Sequence, residues 1–136
     1  MKEQLNNILV QESEALEQLI SLLEKQSEYA LGNKVMDMEA VASQIGVCTK
    51  KIAELEMERR GLTNGEPMSK IVIDLNSKEL EENYNKIKFI VEDAIVQKDL
   101  NIQQLSQGLN FTNRILSILN PDRSIKTYNA NGKMKK

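Results

Sequence analysis

Few side chains in this sequence have a type and spacing that could do chemistry, and most of them stand where a helix would use them for packing or solvation. The 136 residues include no histidine and a single cysteine, Cys48. That leaves no pair for an internal disulfide, no His/Cys set at metal-ligand spacing, and a fit to a reducing compartment. No Gly-rich phosphate loop or Asp/Asn calcium loop is present. Carboxylates come close together at Glu56 and Glu58 and at Glu81 and Glu82, but both pairs lie among charged neighbours on helical stretches. Nothing there would raise a carboxylate pKa, so these residues are expected to be solvated. Arg59 and Arg60 close a helical stretch, where cations suit the negative end of the helix dipole. The expectation is a protein that is not an enzyme and uses no metal or cofactor. Tyr128 stands apart, because it is an aromatic in a polar tail with nothing local to pack against.

The elements that would position these residues are helices. The longest uninterrupted pattern runs from Ser77 to Leu119, with Leu80, Tyr84, Ile87, Val91, Ile95, Ile102, Leu105, Leu109, Leu116 and Leu119 spaced mostly by fours and threes. Lys98 and Thr112 fill two seam positions. As one straight helix it would be roughly 65 Å long. A first helix, Lys2 to Leu31, carries a seam of Leu5, Leu9, Glu12, Leu16, Leu19, Leu23, Gln26 and Ala30, widened by Ile8, Ala15, Leu22 and Tyr29. A stripe that wide should touch more than one neighbour. Gly32 is expected to end this helix in a left-handed conformation, and Asp37 to cap the next, which runs to Leu62. Its seam of Met38, Val41, Ile45, Cys48, Ile52, Leu55 and Leu62 holds Arg59 near the end and places Cys48 where a small hydrophobe belongs. Gly46, inside this pattern, suggests a close approach of helices. Pro67 opens a short stretch to Leu75 whose Met68, Ile71, Val72 and Leu75 could lid one end of a bundle. Ser77 caps the long helix, and Asn120 with Pro121 stops it.

Composition agrees with an all-α fold: the chain has two prolines, no tryptophan and 4% aromatics. The predicted architecture is an elongated antiparallel three-helix bundle, coiled-coil-like, with a short connecting helix. Residues 1–120 form the bundle domain and residues 121–136 a flexible basic tail. The net charge is −2, yet residues 121–136 hold five basic side chains against one acidic. That tail lacks aromatic interleaving, so nucleic-acid binding is not expected. No signal peptide and no apolar run of about twenty residues is visible, so no integral membrane segment is expected and a cytoplasmic location is.

Several local features recur together in one known family. They are a second helix opened by Asp37, Met38 and Glu39 and closed by Glu58, Arg59 and Arg60, then a short insert with Pro67, Met68 and Ser69. A long helix containing Asn101, Ile102, Gln103, Gln104 and Leu105 follows, and then a tail in which Tyr128 precedes Gly132 and Lys133. With these the chain resembles the FlgN family of flagellar export chaperones over nearly its whole length. The resemblance implies a chaperone that binds the C-terminal helical part of hook-associated junction proteins. It would prevent their premature assembly and deliver them to the platform protein of the type III export gate, with no nucleotide of its own.

On the residues alone, a straight third helix would overhang the first two, which are about 45 and 39 Å long. Leu105, Leu109, Phe111, Ile115, Leu116, Ile118 and Leu119 would then be the client-binding surface. Alternatively, the helix bends at Gly108 and buries these residues itself, or they form a homodimer. By the resemblance, Tyr128 and Gly132 would be the export-gate contact, unless Tyr128 folds back over the exposed end of the long helix. A generic coiled-coil scaffold or oligomerisation module would use the same seams.

Overall fold

The structure is a computed structural model, and its described residues are 1–104 and 116–119. Among them the ordered elements are helices: α1 (Lys2–Leu31), α2 (Val35–Thr63), α3 (Met68–Leu75) and α4 (Lys78–Gln104). The 3.6-residue periodicity read from the sequence accounts for all four. It places Leu5, Leu9, Leu16, Leu19 and Leu23 of α1, Ile52 of α2 and Leu80 and Val91 of α4 at 2% exposure or less.

The breadth of the apolar arc on α1 decides the packing. α1 lies along both α2 and α4, while α3 packs on α4. It is thus α1, and not the third long helix, around which the others are arranged. On α2 the Cys48 thiol donates to the Ala15 carbonyl at 3.2 Å, and Arg59 lies in the field of Glu12. Rising numbers on α2 therefore meet falling numbers on α1, so the two are antiparallel. α4 runs parallel to α1, and two polar clamps show it. Asn83 Nδ2 donates to Asn6 Oδ1 at 2.8 Å near one end. Near the other, Asn101 Nδ2 donates to the Leu23 carbonyl at 2.7 Å and to Gln26 Oε1 at 2.9 Å. Asn101 is fully buried, so sliding the helices past each other would strand its amide without partners, and the register is fixed.

The turns differ from expectation in an instructive way. Gly32 has φ −85°, and it is Asn33, at φ 56°, that takes the left-handed conformation. Lys34 N–H donates to the Tyr29 carbonyl and Asn33 N–H to that of Ala30, the paired bonds of a Schellman ending. This tight stop lets α2 begin at Val35, two residues before Asp37, which adds only first-turn charge and no capping hydrogen bond. Asn64 and Asn76 end α2 and α3 in the same left-handed geometry, which asparagine tolerates better than most residues. Pro67 is the N-cap of α3 and not its first helical residue. Ser77 caps α4 as expected, its Oγ accepting from Leu80 N–H at 3.2 Å.

The straight helix expected from Ser77 to Leu119 does not form. Gln104 lies beside Ser27, whose hydroxyl meets its Oε1 at 2.6 Å. Residues 116–119 are helical, yet Ile118 and Leu119 border the same cavity as Tyr84 and Ile87. In a straight helix Ile87 and Ile118 would be about 46 Å apart. The chain therefore returns along the bundle, and Leu116 reaches 0% exposure. Burying one such leucine is worth on the order of 2 kcal/mol, a gain that a projecting helix would forgo.

Gly46 has open space where a Cβ would stand, so it does not serve a close helix approach. Gly46→Ala is expected to stabilise the fold by about 0.5–1 kcal/mol through helix propensity alone. Thermal unfolding followed by circular dichroism checks this, and an unchanged or lowered midpoint would contradict it.

Candidate partner-binding surface

Where the N-terminal half of α1, the C-terminal end of α2 and the first turns of α4 come together, α3 and residues 116–119 close in around a cavity of about 300 Å³. Its apolar wall includes Leu9, Met68, Ile87, Ile118 and Leu119, and its polar wall includes Glu12, Arg59 and Arg60. Each position follows from the helical pattern. Glu12 occupies a seam site of α1 and Arg59 one of α2, and because the helices are antiparallel both side chains come to line the same cavity.

The polar wall forms one buried network. Glu56, 5% exposed, accepts from Arg59 through both Nε, at 3.1 Å, and Nη2. Arg60 Nε donates to Glu56 Oε2 at 3.1 Å. Across the interface Glu12 is 1% exposed. Burial, and then the charge and hydrogen bond of Glu56, push its carboxyl up to about 9, with only Arg59 pulling the other way. Glu12 is therefore a neutral acid at neutral pH and can donate to Glu56, while its Oε2 has no partner among the described residues. Burial works against the Arg59 charge, but Glu56 and Glu12 more than offset it. Glu56 is thus no solvated carboxylate: the i, i+3 and i, i+4 spacing to two arginines and its position toward α1 draw it inward. Glu58, Glu81 and Glu82 are exposed, as expected.

Of the residues expected to bind a client, the structure places three. Leu116 is fully buried, Ile118 is 38% exposed and Leu119 is half-buried against the core. Ile118 and Leu119 meet at the cavity, while Leu116 belongs to the core and not to an exposed surface. Leu105, Leu109, Phe111 and Ile115 lie outside the described residues, as do Tyr128 and Gly132. Sequence reasoning missed the Glu12, Glu56 and Arg59 network. Its signal was present as a carboxylate and a guanidinium in the apolar seams of neighbouring helices, each needing the other. Cys48 is buried with its thiol pushed up by desolvation, the packing role its seam position predicted.

A second concavity, about 740 Å³, runs between α1 and α2, with Ala15, Leu22 and Cys48 at its base and polar walls that include Gln18 and Lys51. Among the described residues no helix is long and apolar enough to cross a membrane.

Long helices that leave apolar residues on their outer faces, with an amphipathic cavity at one end, offer surface of the kind that takes amphipathic helices. A family model described as FlgN protein matches residues 1–136, so the chain belongs to the FlgN family. Membership carries a flagellar export chaperone role in general. No curated protein and no solved structure matches the chain.

Proposed function

We propose that this protein is a cytoplasmic chaperone that binds the C-terminal helical segments of hook-associated junction proteins and delivers them to the platform protein of the export gate. The observation that carries this reading is the family match over the entire chain. In it, residues 1–120 act as one bundle domain, with α1, α2 and α4 running up-down-up and residues 116–119 set back against them, and residues 121–136 act as a tail. Leu105, Leu109, Phe111 and Ile115, with Ile118 and Leu119 at the cavity rim, contact the client helix, and Leu116 anchors that stretch to the core. Tyr128 and Gly132 contact the gate. An aromatic that fills an apolar pocket while its hydroxyl meets a polar rim suits that role.

Calorimetric titration of a purified junction protein into the chaperone tests the reading. Ile115→Asp is expected to weaken binding about tenfold or more with helical content unchanged, and Tyr128→Ala to leave client affinity intact while weakening binding to the gate protein. A chain that self-associates and binds no junction protein would instead be a coiled-coil scaffold.

A further inference from the structure

α4 carries a second apolar stripe on the side opposite its core. Leu80, Ile87, Val91, Ala94 and Lys98 face inward, whereas Phe89, Val96 and Leu100, spaced by seven and four, fall on one outward line. Their exposures are 75%, 57% and 48%, and nothing among the described residues covers them. The charges around this stripe change along it: the exposed Lys86 and Lys88 flank Phe89, whereas acids flank Val96 and Leu100. From Phe89 to Gln104 the acids are Glu92, Asp93 and Asp99, and the only cation, Lys98, is 6% exposed with its amine held by Asp99 at 2.7 Å. A complementary occupant is cationic with apolar side chains between its charges.

The chain itself holds such a segment. Residues 121–136 hold Arg123, Lys126, Lys133, Lys135 and Lys136 against Asp122, interleaved with Ile125, Tyr128 and Met134. The segment also starts in the right place. Leu119 borders the cavity with Tyr84 and Ile87, within a few turns of Phe89 on α4. From Leu119 to Tyr128 the chain can span about 30 Å. Half the circumference of a helix is roughly 16 Å and the axial step from Ile87 to Val96 about 14 Å, so Tyr128 can reach the outward line. Tethering also supplies an effective concentration that a separate peptide would lack.

We infer that residues 121–136 dock in cis on the Phe89, Val96 and Leu100 stripe, with Ile125 and Tyr128 on the apolar side chains and the cations against Glu92, Asp93 and Asp99. The contact itself stands on charge, pattern and reach; its regulatory meaning rests on the chaperone reading. If Tyr128 is the gate contact, a docked tail withholds it until something displaces the tail.

The chain has no tryptophan, so Tyr128→Trp gives a single reporter in the full-length protein. The expected result is blue-shifted emission and a roughly threefold lower acrylamide quenching constant than in the free tail peptide, as for a tail docked about two-thirds of the time. Adding Phe89→Ser and Val96→Ser, both at exposed positions, is expected to restore peptide-like quenching with helical content retained. High salt is expected to do so in part. Peptide-like quenching in the starting protein, protection that survives the two serines, or protection that grows with protein concentration, which marks a second copy as the occupant, would each overturn the inference. The measurement involves no client, so it can fail while junction-protein binding holds, and the reverse.

Discussion

Arg59→Met is expected to cost about 3–5 kcal/mol of folding stability, the range for stripping one partner from a buried charge network. The side chain is 13% exposed and, among the described residues, is the one cation that acts on both Glu56 and Glu12. Methionine fills similar space but leaves the Glu56 carboxylate with only Arg60, whose side chain is 54% exposed, and leaves the Glu12 carboxyl facing an uncompensated negative charge. A single domain is stable by about 5–15 kcal/mol, so the loss would be a large part of the total. Urea unfolding gives the value. A change under about 1 kcal/mol would mean that water reaches the network and screens it. Combining Arg59→Met with Glu12→Gln is expected to recover part of the loss, because the two carboxyls then no longer compete.

Glu12 is expected to make this protein less stable as pH rises through the neutral range. Its folded pKa, about 9, lies above the ordinary 4.5. Between those values the folded chain holds a proton that the unfolded chain has released, so each rise in pH favours unfolding. The contribution is complete below about pH 4.5 and is lost as pH climbs to about 9, with a slope of at most about 1.4 kcal/mol per pH unit. Glu12→Gln keeps an N–H to donate to Glu56 and removes the titration. The variant should therefore gain on the parent by roughly 2–4 kcal/mol between pH 5 and pH 8. Taking the difference between the two chains cancels the other carboxylates, which titrate in both. Parallel stability curves over that range would show Glu12 to be ionised in the folded protein.

The legible part of this protein is what repeats along the chain. Leucines and isoleucines spaced by threes and fours gave α1 its exact bounds and α3 its buried Met68 and Ile71, and Ser77 was visible as a cap because its hydroxyl acts locally. The seam position of Cys48 foretold its burial for the same reason. The family resemblance rested on short local motifs, and it holds over residues 1–136. One of those motif residues, Asn101, is the amide that clamps α4 to α1, a role no local pattern could announce, since its partners on α1 are more than seventy residues away in sequence.

Tertiary structure decided the rest. Periodicity cannot report where a helical pattern turns back: Leu105, Leu116 and Leu119 continue the seam rhythm whether the chain runs straight or returns to bury Leu116. The wide stripe on α1 demanded two neighbours, but only packing made α1 the central helix. The charged sequence neighbours of Glu56 predict a solvated carboxylate, and those same neighbours, Arg59 and Arg60, carry it inward once α2 lies antiparallel to α1 and brings it against Glu12. Sequence spacing is a distance along one helix and determines which residues share a face. Desolvation and charge coupling depend on distances between helices, and those exist only after the chain has packed.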